Sequence, residues 1–477
     1  MYRKRLLAVA TTVVLVCAVH AAVADEATRR KDVEVGDTYN LRHATGVVTD
    51  QSKDMLRIPE GYVGGGDFTV AKTPPVVDFA PIRGLIPEFF PEDNVGLWSQ
   101  WGEVTKGPNG RFYMATGDHR CKDGHIIITE YDPAAKEQRI VVDVGKVCGW
   151  KPGEYVDGKI HGRMDILPDG TLVAATWLGR DVTQDDLDHG YVNGGRLITY
   201  NVNTGRTVFH GIPFVGDSWP YHSIDTQTGL MVAVGNDRCF MAYNVLEDKL
   251  HYGGRVPSGM VWNPRAMLLD ERTGRAYSTD TEPDKVHSFQ FDTSDHHFVE
   301  YNPATNGFRK LDCIIPLNPG TGLASNLRAY TMRRTPDDFF WCMDYQGTMF
   351  KFYPEQERTE LVGVNWEKDG VYTSSMAMSA DCRFIYYVFS DHGHAHRWGT
   401  PVVQYNTETG ERKVIAFLAP YYHKKYGYIA GGTFGLELSA DDSLLVIHMN
   451  GMFGPWSDKS AYNNCGIFAV HIPESER

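Results

Sequence analysis

The chain has 477 residues, of which 42% are hydrophobic and 22% charged, with 48 Gly, 24 Pro, 10 Trp, 25 Tyr and 22 Phe. That composition excludes a disordered, collagen-like or coiled-coil protein and supplies ample apolar material for a large core. Lys and Arg total 47 against 60 Asp and Glu, a net charge of −13. This acidic balance argues against general affinity for nucleic acid or an anionic membrane.

Arg3, Lys4 and Arg5 precede an apolar run at 6–19, and Ala22-Val23-Ala24 follows. A basic stretch, a short apolar stretch and an A-x-A site read as a signal peptide over residues 1–24, cut before Asp25. The alternative is an uncleaved anchor, for which the run is short. The expected mature protein is a soluble monomer, secreted or periplasmic. Removing three basic residues leaves it at −16. Cys17 departs with the leader, and Cys121, Cys148, Cys239, Cys313, Cys342, Cys382 and Cys465 remain. An odd number leaves at least one thiol unpaired. Cys121 with Cys148 is the expected local disulfide, and most of the others read as buried thiols.

From residue 96 onward the chain repeats. Seven short apolar or aromatic runs each follow a turn-like pair. They are 111–116 after Asn109-Gly110, 171–176 after Asp169-Gly170, 230–234 after Thr228-Gly229 and 275–279 after Thr273-Gly274. The remaining three are 339–343 after Asp337-Asp338, 384–389 after Asp381-Cys382 and 443–448 after Asp441-Asp442. Each leads to a second run ending in a polar turn, such as YNVNTGR from 200 or YNTETGE from 405. A repeat of roughly 55 residues suits the blades of a β-propeller. One blade cannot bury both its faces, whereas a closed ring covers all of them. The expected fold is therefore all-β, a seven-bladed β-propeller over residues 96–477. Residues 25–95, rich in Pro and Gly, are expected to wrap or cap it. A pair of β-sandwiches explains the sevenfold count less well.

Polar residues at strand entrances are the candidates for chemistry. His161 sits in Asp157-Gly158-Lys159-Ile160-His161-Gly162-Arg163, ahead of blade two. There a His serves as base or metal ligand, or simply as a satisfied structural ring. His189 lies in the DHGY insertion of the same blade, a loop position suited to binding. Tyr221 and His222 enter blade three, and Asp237-Arg238 follows its next strand. Arg265 and Arg328 enter blades four and five, as anion clamps or as ordinary ion pairs. His392, His394 and His396 alternate, and an extended segment would put them on one side as a metal or acidic-sugar surface. No G-x-S-x-G, Walker A, H-E-x-x-H or EF-hand pattern is present in the sequence.

These residue types suit β-elimination from a uronate. Arg neutralises the carboxylate, which makes loss of the neighbouring C5 proton tolerable. A His or Tyr takes that proton, and Tyr protonates the leaving oxygen. GKIHG (158–162), the DHGY insertion and the Tyr221/Arg238 pair resemble the secreted seven-bladed propeller polysaccharide lyases, ulvan lyases in particular. Residues 399–418 and 431–451 resemble late blades of the same group, and the likeness spans most of 100–470. It implies His161 and His189 near the C5 proton and leaving oxygen, Tyr221 as base or acid, and Arg238 as neutraliser. His222, Arg265, Arg328, His392 and His394 would contact an acidic polysaccharide. Some members hold a structural Zn or Ca ion; no organic cofactor is expected. The competing expectations are a rhamnose–glucuronate exo-lyase, a non-catalytic propeller that binds glycan or protein, and a metal-dependent lactonase. For the lactonase, Asp165, Asp225 and Asp280 are available but lack ligand spacing.

Overall fold

The seven turn pairs share one backbone requirement: the second residue of each has a positive φ. The values are 75° at Gly110, 88° at Gly170, 73° at Gly229, 69° at Gly274, 64° at Asp338, 62° at Cys382 and 57° at Asp442. Glycine takes this left-handed conformation without a Cβ clash, and a short polar side chain tolerates it. Each turn leads into the second strand of an antiparallel sheet. The computed structural model describes residues 31–33, 47–60, 68–82, 99–118, 121–235, 238–281, 295–366 and 368–477. The expected signal peptide lies outside them, as do Asp237 and much of 25–95.

Seven sheets stand in sequence order as seven blades. Blade one runs through Thr105–Lys106, Phe112–Gly117, Ile126–Asp132 and Glu137–Asp143. Blade two is Asp165–Ile166, Thr171–Ala175, Leu197–Asn201 and Thr207–Gly211. Blade three is Tyr221–Asp225, Leu230–Val234, Cys239–Asn244 and Lys249–Arg255. Blade four is Leu268–Asp270, Arg275–Thr279, His297–Asn302 and Gly307–Ile314. Blade five is Leu327–Tyr330, Phe340–Asp344, Thr348–Tyr353 and Arg358–Val364. Blade six is Met376–Met378, Phe384–Tyr387, Pro401–Asn406 and Arg412–Phe417. Blade seven has Tyr428–Leu438, Leu444–Phe453 and Gly466–His471 from the C-terminal end of the chain. The fold is the expected seven-bladed β-propeller.

Buried apolar side chains fill the gaps between blades in turn around the ring. The last gap is closed by the N-terminal part of the chain. Val76–Pro81 pairs antiparallel with Gly466–His471 as the fourth strand of blade seven, and Val48–Gln51 adds a fifth. Thr69–Val70 pairs in parallel with the outer strand of blade six, and Lys31–Val33 with that of blade two. Phe79 seals the closure, its ring 4.7 Å from Tyr428 and Phe468 and 5.2 Å from Tyr422. Behind it, buried Asp78 accepts from His471 Nε2 at 2.9 Å, Lys136 Nζ at 2.9 Å and Thr49 Oγ1 at 2.5 Å. Burial opposes that charge, but the three donors hold the Asp78 carboxyl well below the usual range.

All seven cysteines from Cys121 to Cys465 are free thiols, so the expected Cys121–Cys148 disulfide is corrected. Cys121 is buried and directs its Sγ at the Leu178 carbonyl, 3.5 Å away. Among the described residues no helix is long and apolar enough to cross a membrane. Phe79→Ala should cost about 3–5 kcal/mol through the cavity it leaves. Urea unfolding of the full chain measures this. A loss under about 1 kcal/mol would show that the closing strand contributes little.

Candidate functional site

Connections between blades, and those between second and third strands, emerge at one end of the propeller, here the upper face. Residues just ahead of the inner strands therefore converge on the axis. Trp101 and Glu103 come from blade one, and Lys159, His161 and Arg163 from blade two. Arg265 comes from blade four, Arg328 from blade five, Tyr372 from blade six and Phe434 from blade seven. Second-to-third connections add Trp177, Tyr345 and His392. The His161 stretch crosses directly over His222. A Cβ on Gly162 would stand 2.2 Å from His222 Nδ1 and 2.4 Å from its backbone nitrogen. Only glycine permits that crossing.

At the mouth, the buried His161 ring lies 6.3 Å from Trp101, nearly parallel to it, and meets Trp177 and Tyr221 edge-on at 5.4 and 6.5 Å. Arg265 brings Nη1 to 3.5 Å from His161 Nε2 and lays its guanidinium 4.7 Å from the Trp177 ring centre. Buried Arg328 donates from Nε to Tyr372 Oη at 2.7 Å and from Nη1 to the Arg265 carbonyl at 3.1 Å. Its guanidinium lies 5.6–5.8 Å from the rings of Tyr345, Tyr372 and Phe434. Neither arginine forms an ion pair with a described carboxylate. Burial and the charge of Arg328 press Arg265 below its ordinary value, yet a guanidinium keeps its proton. Two uncompensated cations in a half-dry cup cost several kcal/mol, a cost that an incoming anion relieves.

Below the cup, Glu103 accepts from Ser375 Oγ at 2.6 Å. Burial pushes its carboxyl up to about 7, against that hydrogen bond and the charges of Arg163 and Arg328. Arg163 donates to Asp165 at 2.6 Å and sits 3.6 Å from Glu437. This carboxylate-rich layer leads to the lower end of the channel. There a cavity of about 410 Å³ is lined by all seven blades, through Thr105, Asp165, Ser223, Leu269, Met332, Met376 and Glu437.

The structure sorts the residues singled out from sequence. His161, Tyr221, Arg265, Arg328 and His392 meet at or just beneath the mouth. Tyr221 is buried and hydrogen-bonded at 2.7 Å to Tyr330, whose hydroxyl donates to the Met267 carbonyl. Burial, then the charge of Glu103, pushes the Tyr221 phenol above its ordinary value. His392 stacks on Tyr372 at 4.7 Å, and burial with Arg328 and Arg265 pushes it down to about 4. His189 does not join them: it caps the short helix Gln184–Asp188, is exposed and stacks on Tyr155 at 4.9 Å. Arg238 is exposed in a left-handed turn with φ 61°, and its side chain has no described partner. His222 is buried away from the mouth, its Nε2 accepting from Ala175 N–H at 3.3 Å.

The expected single-sided row of histidines is corrected. Residues 391–398 form two 3-10 turns, Asp391–Gly393 and Ala395–Trp398, with φ 30° at Asp391 and 45° at His392. His394 therefore turns back to the Asp391 carbonyl, and His396 donates to the Ser457 carbonyl. Among the described residues no group of three or more His, Cys, Asp or Glu is placed to hold a metal ion, so no Zn or Ca ligand set is assigned.

No family model matches the chain, and no curated protein matches its sequence. Solved propellers share its fold at low identity. U3-55K is 11% identical with a TM-score of 0.47, covering 83% of this chain and 98% of that one. The RRP9 WD40 repeats are 11% identical with a TM-score of 0.45 at the same coverages. A chain of a mitotic checkpoint complex is 8% identical with a TM-score of 0.49, covering 87% and 97%.

The expected carbon–oxygen lyase, and the acidic polysaccharide expected as its partner, are corrected here. The similar solved structures are WD40-type propellers and a checkpoint-complex chain, not polysaccharide lyases. The side chains supply the physical reason. Arg238 faces solvent instead of pairing with Tyr221, His189 stands off on its helix, and the Tyr221 phenol is sealed against Tyr330 with its proton held.

Glu103 makes stability fall as pH rises from its ordinary 4.5 toward about 7, because the folded state keeps a proton that the unfolded chain releases. Glu103→Gln should therefore gain melting temperature relative to the parent between pH 5 and 8. A pH-independent difference between the two would contradict this.

Proposed function

We propose that the chain is a non-catalytic, protein-binding propeller whose upper mouth receives an acidic segment of a partner. The observation that carries this reading is the pair of guanidiniums, Arg265 and Arg328, held without ion pairs inside a wall of Trp101, Trp177, Tyr345, Tyr372 and Phe434. Trp, Tyr and Arg are the side chains that dominate binding energy at protein interfaces. Arg in particular engages a carboxylate with a planar fork. An Asp or Glu side chain, or a C-terminal carboxylate, supplies the missing counter-charge. A neighbouring flat or apolar residue would lie against the aromatic wall. The fixed hydrogen bonds of Tyr221 and Arg328 suit a site that holds a ligand in place.

Selection of a displayed peptide library on the immobilised protein tests the proposal. Enriched peptides should carry Asp, Glu or a free carboxylate beside an aromatic or apolar residue. Arg265→Gln should weaken them about 10- to 100-fold by calorimetry, and an Asp→Asn or Glu→Gln change in the peptide should do the same. Arg238→Ala should leave affinity unchanged. Enrichment of basic peptides, or equal binding by Arg265→Gln, would overturn the assignment.

A further inference from the structure

Lys159 stands apart from the other lysines of the chain. It is only 4% exposed. Its Nζ lies between two indoles, 4.4 Å from the ring centre of Trp101 and 4.4 Å from that of Trp177. Arg265 covers the same Trp177 ring, so a permanent cation shares the compartment. Two effects compete for the proton on this amine. Each indole face favours an ammonium by up to about 2 kcal/mol. Removing an ammonium from water costs several kcal/mol, and repulsion from Arg265 adds to that. Cys121, the other titratable group acting on Lys159, is a thiol kept neutral by burial, so it offers no fixed counter-charge. The balance falls to the free amine, and Lys159 is pushed well below its ordinary value, first by burial and then by Arg265. A desolvated lysine beside a second cation is how an amine becomes nucleophilic at neutral pH.

We propose that Lys159 is a carbonyl-reactive amine that captures small α-keto acids at the upper mouth as an imine. The nitrogen lone pair attacks the keto carbon. The resulting carbinolamine then loses water, which carries away the former carbonyl oxygen and the two amine hydrogens, and a C=N bond remains. The step is reversible and needs no oxidant or reductant. The carboxylate of the keto acid falls to Arg265 and Arg328, and this part rests on the anion-binding reading above. The reactivity of the amine does not. The aromatic walls admit only a small molecule, because the amine is almost fully enclosed.

The test uses the full-length protein at pH 7 with cyanoborohydride to trap imines and peptide mass mapping to locate them. Glyoxylate is the anionic probe and propanal the neutral one. Lys159 should be trapped faster than exposed Lys53 and Lys249 by both reagents, and Lys159→Arg should remove that fast site. Arg328→Gln should slow trapping by glyoxylate about tenfold and leave propanal unaffected. Arg265→Gln should slow both, because it also relieves the repulsion that keeps the amine free. If Lys159 reacts with propanal no faster than Lys53, the proposal is overturned, and this arm decides even if an arginine variant fails to fold. Fast propanal trapping with glyoxylate indifferent to Arg328→Gln upholds the amine and overturns the carboxylate assignment.

Discussion

A ring of seven sheets has no stable partial form for its final gap, so the antiparallel pairing of Val76–Pro81 with Gly466–His471 governs the rest. It joins chain segments nearly 400 residues apart in one sheet, with Phe79 packed among Tyr422, Tyr428 and Phe468. Asp78 adds a polar tie from the same strand, reaching His471 in blade seven and Lys136 in blade one. Only with the ring closed do the strand entrances of different blades face one axis.

The axis is electrically divided. Its upper mouth carries Arg265 and Arg328 without carboxylate partners, whereas the layer beneath carries Glu103, Asp165 and Glu437 around the single cation Arg163. Burial pushes both Glu103 and Asp165 toward their neutral forms. The upper positive charges are thus not discharged from below, and an anion arriving from solvent finds them available. The same enclosure acts in opposite directions on different groups: it leaves the guanidiniums charged, strips Lys159 of its proton preference and keeps His392 neutral.

Part of this mouth was legible in the chain. Strand-entrance positions in the repeat pointed to His161, Arg265 and Arg328, and all three lie there. The same reasoning applied to every blade would have reached Trp101, Tyr372 and Phe434, which read as ordinary core aromatics because nothing local marks them as axial. Lys159 stands two residues before His161, on the same side of an extended run, so alternation alone paired them. His394 was misplaced because alternation was assumed where the backbone turns through Asp391 and His392. Arg238 and His189 were grouped with Tyr221 from chain spacing, which carries no information about which side chains a turn or a short helix exposes.

The sequence by itself determined the number of blades, the hairpin turns and the apolar faces, because these depend on neighbours a few residues apart and on the two-residue period of a strand. The tertiary structure alone decided which cations lack a partner, which hydroxyl is sealed and which amine is dry. Those properties come from atoms brought together by ring closure across tens to hundreds of residues, and desolvation has no local signature in the order of the amino acids.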